Sequence, residues 1–172
     1  MLTALTKSAD DTRELASQVA TLAKPGDVIL LAGELGAGKT AFAQGFGRAL
    51  GVDEPIVSPT FTLVRTYAGR IPLVHVDVYR LDHLQEVVEL GLAELLDEGG
   101  VALIEWGDMA APTLPPDFLE VRLEYGGGLD DGTADAGMEP DDERRISFRI
   151  VGPSWAPRQR ALHAALSRWS TE

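Results

Sequence analysis

The 172-residue sequence contains no cysteine and no asparagine, and lysine supplies only three of its fifteen basic residues. Without cysteine there can be neither disulfides nor thiolate metal sites, and nothing is legible about redox compartment. Without asparagine the Asn-Lys-x-Asp motif that reads guanine cannot be written, which disfavours a GTPase. No apolar run approaches the roughly 18 residues of a membrane-spanning helix. Asp10, Asp11, Arg13 and Glu14 stand where a signal peptide would be apolar. The expectation is a soluble cytoplasmic protein with no membrane partner. Positive charge is scarce too, with 27 acidic residues against 15 basic and a formal charge of −12. Such a surface does not neutralise nucleic-acid phosphates by itself, so any nucleic-acid connection would come through a partner. The length suits one compact domain spanning residues 1–172.

What is present is an alternation of short apolar runs and helical patterns. Residues 8–23 read as a helix capped by Ser8, with Leu15, Val19 and Leu22 on one face and Pro25-Gly26 after it. Val28–Ala32 is apolar without alternation, as suits a strand buried on both faces of a parallel sheet. Residues 39–50 read as a second helix, stopped by Gly51. Phe61–Tyr67 and Leu73–Tyr79 read as a hairpin, residues 83–89 and 92–97 as short helices, and Val101–Trp106 as another inner strand. Phe118–Tyr125 and Arg145–Val151 alternate, predicting an antiparallel pair with one exposed face. Residues 156–170 predict an amphipathic helix with Leu162, Leu166 and Trp169 inward. Residues 126–143 hold seven acidic residues and five glycines and read as a flexible acidic surface loop, a tolerated insertion rather than a docking arm. The fold class expected is α/β, a P-loop NTPase fold with a mixed, mostly parallel central sheet flanked by helices and antiparallel strands at its edge.

The most specific signal is "GELGAGKT", Gly33 to Thr40. It fits G-x-x-x-x-G-K-[ST], with a buried strand before and a helix after. Glycines in a regular element cost roughly 0.5–1 kcal/mol each, so this run serves the backbone itself. It lets successive amides from Gly36 to Thr40 converge on a polyphosphate at a helix N-terminus. Lys39 would reach the β- and γ-phosphates and the Thr40 hydroxyl a magnesium ion. Two strand ends offer a carboxylate: Glu105 after "VALI", the better inner-strand candidate and so the Walker-B-type residue, and Asp77 after "LVHV". Asp77 is either a second magnesium-shell ligand or the group that orients the attacking water. "VSPTFTL", residues 57–63, is either a segment sensing the γ-phosphate or a proline turn before a strand. His75, between strand valines, reads as a packed or surface histidine.

Taken together, "GELGAGKT", "SPTFTLVRTY", "HVDVYRL", "ELGLAELL" and "LIEW" resemble the TsaE family, small bacterial ATPases of tRNA threonylcarbamoyladenosine synthesis, over residues 8–125. The resemblance implies a magnesium-dependent ATPase acting with the threonylcarbamoyl transferase pair, TsaB and TsaD type proteins. That machinery modifies adenosine 37 beside the anticodon, tRNA being met mainly through the complex. It places the nucleotide loop on Leu35, Gly36, Ala37, Gly38, Lys39 and Thr40, the magnesium ligands on Thr40 and Glu105, and the essential aspartate on Asp77. Ser58 and Thr60 fall on the family's switch-like segment, Trp106 on its tryptophan after the glutamate, and residues 9–12 near the nucleotide. Two departures stand out: Ala41 replaces a common second threonine, removing one hydroxyl contact to phosphate, and the acidic segment is longer than the family's. The readings set against an ATPase are a nucleotide-gated binding module and a small-molecule P-loop kinase.

Overall fold

A computed structural model describes residues 1–58, 63–78, 86, 89, 91–106, 117–126 and 142–171. Among the described residues seven strands form one sheet: β1 (Leu2–Thr6), β2 (Val28–Ala32), β3 (Val64–Tyr67), β4 (Leu73–Val78), β5 (Val101–Trp106), β6 (Phe118–Tyr125) and β7 (Arg144–Val151). Their order is β1-β7-β6-β2-β5-β4-β3. The inner strands β6, β2, β5 and β4 are parallel, whereas β7 and β3 pair antiparallel with their neighbours and β1 pairs antiparallel with β7. Five strands thus share one direction, as a mostly parallel sheet requires.

Burial explains which strands are inside. Every residue of β2 is buried, because β2 sits mid-sheet with apolar cover on both faces. On one face α1 (Ala9–Thr21) and α2 (Lys39–Ala49) pack Leu15, Val19, Phe42 and Phe46 against Ile29, Leu31 and Leu103. On the other, Val28, Leu30, Val74, Val76 and Ile104 meet Leu95 and Leu96 of α3 (Leu92–Asp97). Each fully buried aliphatic side chain contributes about 1.5–3 kcal/mol. α1 starts where the Ser8 hydroxyl accepts from the Asp11 amide at 3.1 Å, while the Asp11 carboxylate accepts from the Lys7 amide at 2.9 Å. α2 lies close against α1, and a Cβ at Gly45 would overlap the Arg13 carbonyl.

The structure corrects the sequence reading at three places. β1 was not anticipated; "LTALT" alternates buried and half-buried residues along the edge of β7. β6 lacks the expected exposed face over its first half, since it is an inner strand between β2 and β7 and Phe118 to Val121 are all buried. The C-terminal helix is shorter than expected: a 3-10 turn (Ala156–Arg158) leads into α4 (Gln159–Ala165), and the helix then gives way to turns. The reason lies in β1, whose outer edge recruits the chain end through Leu5 N–H to the Trp169 carbonyl (2.8 Å) and Thr171 N–H to the Thr3 carbonyl (3.2 Å). Leu162, Leu166 and Trp169 are nevertheless buried as expected. The expected helix at 83–89 falls mostly outside the described residues, as does nearly all of the acidic segment 126–143.

Candidate functional site

The carboxyl ends of β2, β5 and β4 lie side by side, the edge of a parallel sheet where α/β proteins place their ligands. Their registers align Leu31 with Glu105 and Glu105 with Asp77, one row across three strands. Two residues beyond Leu31 the chain enters the glycine loop. Gly33 (φ 151°) is held so close to the Leu123 carbonyl of β6 that a Cβ would collide with it. Gly38, at φ 104°, turns the loop into the first turn of α2 with no side-chain cap, which leaves the helix's leading amides facing outward. Such an end, carrying its partial positive charge, is an anion site.

Lys39 folds back over the loop, its Nζ donating to the carbonyls of Gly33 (2.6 Å) and Glu34 (2.8 Å). Ala37 is buried, Leu35 and Gly36 are exposed, and Thr40 is half-buried at the start of α2. Ala41 is buried against the core, so a methyl fills the place of the second threonine. At the far side of the loop, Tyr125 donates to the Leu35 carbonyl (3.1 Å) and Arg144 to the Gly36 carbonyl (3.4 Å).

Glu105 is buried and places Oε1 2.9 Å from Nε2 of His75, itself fully buried. With the carboxylate ionised, Nε2–H donates to it. Oε2 of Glu105 makes no hydrogen bond among the described residues. His75 is packed, as the sequence suggested, but its partner gives it a role the sequence reading did not assign. The available signal was its position two residues before Asp77, which puts both side chains on one face of β4. Asp77 is half-buried and accepts from the Ser58 hydroxyl at 3.0 Å. Burial, the largest influence, and the nearby Glu105 charge push its carboxyl above the ordinary value, opposed by the Ser58 hydrogen bond and by His75 and Lys39.

Ser58 therefore meets the site, while Thr60 lies outside the described residues, and Trp106 is placed on β5 beside Ala32 and Val78 without description of its side chain. The "VSPTFTL" segment ends in Leu63, whose φ of 57° is a left-handed conformation costly for a side-chain-bearing residue; its carbonyl accepts the Asp77 amide at 2.9 Å. A groove of about 620 Å³ runs along Asp10, Arg13, Gln44, Arg48, Ile56 and Val57, beside the start of α1.

Residues 6–130 match the family model described as threonylcarbamoyl adenosine biosynthesis protein TsaE. The chain belongs to the TsaE family. The tRNA threonylcarbamoyladenosine biosynthesis protein TsaE of Bacillus subtilis is 40% identical over 148 residues, which are 86% of this chain and 84% of that protein. The Nostoc protein of the same description is 49% identical over 121 residues, covering 67% of this chain and 71% of that one. Among solved structures, the crystal structure of Bacillus subtilis YdiB superposes with a TM-score of 0.68 at 37% identity, covering 97% of this chain and 94% of that one. The fold is accordingly the P-loop NTPase-like fold of TsaE proteins. The TsaE match contains the whole row of Leu31, Glu105 and Asp77 and the glycine loop, and it ends inside the acidic segment.

Proposed function

We propose that this TsaE-family chain is a magnesium-dependent ATPase required for the threonylcarbamoyl modification of adenosine 37 in tRNA. It works in the cytoplasm with the TsaB and TsaD type transferase pair, which makes most of the tRNA contact. The observation that carries the reading is the convergence of the phosphate-type loop with Glu105 and Asp77 on one sheet edge. The curated TsaE relatives carry threonylcarbamoyladenosine biosynthesis in their names, which supports the pathway.

In this reading Lys39 exchanges the carbonyls of Gly33 and Glu34 for β- and γ-phosphate oxygens, and the amides from Gly36 to Thr40 cradle the phosphates. The donors fit magnesium: a Thr40 hydroxyl and the remaining Glu105 oxygen are hard oxygen ligands. Among the described residues no cluster of three or more His, Asp or Glu could hold a metal alone, so phosphate oxygens would complete the shell. Bound there, the ion would neutralise charge on the transferring phosphoryl group. His75 fixes the Glu105 carboxylate through Oε1. Asp77, whose carboxyl burial pushes above its ordinary value, orients the attacking water and is the better proton acceptor for that shift. The groove beside Asp10 has the size of a small-ligand site and would take the nucleoside.

A second reading, a nucleotide-gated binding module, draws on the Ser58 to Asp77 hydrogen bond, which ties the "VSPTFTL" segment to the site. ATP hydrolysis by the purified protein, alone and then with the transferase pair and unmodified tRNA, separates the readings. The ATPase reading expects slow hydrolysis alone and faster hydrolysis with partners. Partners that bind only in the presence of ATP, without altering the rate, would favour the gated module.

A further inference from the structure

A phosphate-binding loop has a carbonyl problem. In a trans peptide the C=O and the following N–H point in opposite directions, so every amide turned toward a phosphate sends a carbonyl outward, and a carbonyl that turned inward would repel the anion. Here the carbonyls of four consecutive loop residues are all engaged. Lys39 takes those of Gly33 and Glu34, Tyr125 takes that of Leu35, and Arg144 takes that of Gly36. The two halves of this arrangement differ in what a nucleotide does to them. Lys39 is the loop's own cation and is drawn to the incoming phosphates, whereas Tyr125 and Arg144 stand on β6 and β7 and lie outside the cradle.

We infer that Tyr125 and Arg144 form a clamp that keeps the Leu35 and Gly36 carbonyls turned away from the phosphates, making both positioning residues for nucleotide binding. Four further observations agree. The Arg144 guanidinium lies over the Tyr125 ring, 4.5 Å from its centroid, so the two side chains brace each other. A Cβ on Gly36 would stand 2.7 Å from the Tyr125 hydroxyl, so the loop crest and the phenol are fitted together. Gly38 is also near this corner, with Leu123 and the Arg144 side chain the closest atoms to its missing Cβ. Tyr125 and Arg144 are paired with each other as the closing residues of the antiparallel β6–β7 ladder, which fixes their spacing from the backbone up.

The inference rests on the nucleotide-binding reading above, and one experiment keeps the two apart. Binding of the β,γ-imido analogue of ATP with magnesium is titrated for the wild type, Tyr125→Phe, Arg144→Lys and Arg144→Ala. Thermal unfolding and the backbone amide signals of Gly36 and Ala37 are recorded alongside. Loss of one such hydrogen bond is worth about a two- to ten-fold change in an equilibrium constant. The clamp predicts that Tyr125→Phe and Arg144→Lys each weaken binding by that much, with shifted Gly36 and Ala37 amides and unchanged unfolding midpoints, since Tyr125 is 42% exposed and its hydroxyl supports no core packing. It also predicts that the double variant loses less than the product of the two, because the pair acts as a unit. Wild-type protein that fails to bind the analogue defeats the nucleotide reading and the clamp together. A wild type that binds, with Tyr125→Phe and Arg144→Lys binding equally well, overturns the clamp alone. So does full retention of affinity in Arg144→Lys with loss in Arg144→Ala, which would make Arg144 a simple attracting charge.

Discussion

Two buried acid–base pairs sit on opposite sides of this molecule, and they are completed to different degrees. Arg158 and Asp27 are joined through both carboxylate oxygens, at 2.6 and 2.8 Å. Arg158 also donates to the carbonyls of Ser154 and Leu22, stacks 4.0 Å from the Trp155 ring centroid, and leaves Asp27 a further bond from the Lys24 amide. Every guanidinium donor is thereby used. His75 and Glu105 are equally buried but share one contact, and His75 Nδ1 has no partner among the described residues. Buried polar groups are ordinarily satisfied, and an incomplete one calls for an explanation. The saturated pair fastens the C-terminal turn to the end of the first helix. The unsaturated one holds a carboxylate with an oxygen to spare at the edge where the phosphate-type loop begins.

Breaking the saturated pair should give the largest effect on stability. Arg158→Ala leaves Asp27 buried without its cation and is expected to destabilise the fold by about 3–5 kcal/mol, read by denaturant unfolding. A loss no larger than that of His75→Ala would make the two pairs energetically alike. Lys39→Ala acts on the other side of the comparison. Hydrolysis is expected to fall by about a hundred-fold or more if the lysine stabilises charge that develops on the phosphates, with the unfolding midpoint nearly unchanged because its hydrogen bonds among the described residues go to loop carbonyls.

Much of this comparison was written in the sequence, and the missing parts have physical reasons. The loop, its lysine and the two carboxylates were legible because strand, glycines and helix follow one another locally, and each carboxylate ends an apolar run. The Glu105–His75 contact was not, because it crosses between strands thirty positions apart in the chain and depends on the register of β4 against β5. The Tyr125 and Arg144 contacts reach the loop from residues 90 and 108 positions away, for the same kind of reason. β1 escaped notice because its five residues carry only a weak alternation, and it is defined by its partner β7 rather than by its own pattern. The end of the last helix was missed because edge-strand hydrogen bonding outcompetes helical continuation there, a tertiary effect that periodicity does not encode.

His75→Ala sharpens the difference at a smaller scale. It removes the one hydrogen bond made to the Glu105 carboxylate among the described residues and is expected to cost about 1–3 kcal/mol in stability. The magnesium concentration needed for half-maximal hydrolysis should rise about ten-fold, because groups behind a metal ligand set its orientation. A stability loss without any change in magnesium dependence would place His75 with Arg158 as a purely structural partner.

The smallest effect expected is a displacement in pH. Because burial raises the Asp77 carboxyl above its ordinary value, the native state holds that proton over a window in which the unfolded chain has lost it. The contribution of Asp77 to stability therefore decreases as pH rises through that window, and the deprotonated form that can accept a proton appears only above it. Hydrolysis should lose activity on the acid side at a higher pH than an ordinary aspartate would set. Ser58→Ala, by removing a hydrogen bond that favours the charged carboxylate, should move that acid limb to still higher pH. An acid limb that moves down or stays fixed would detach Ser58 from the chemistry of Asp77.

Whether the carboxylate left incomplete by His75 takes part in ATP hydrolysis is read from phosphate release from magnesium–ATP by wild-type protein and Glu105→Gln at matched folded concentration. Measurable release by the wild type is expected, with a loss of about a hundred-fold or more in the variant and its fold intact. Equal rates in the two proteins would remove Glu105 from the hydrolytic site.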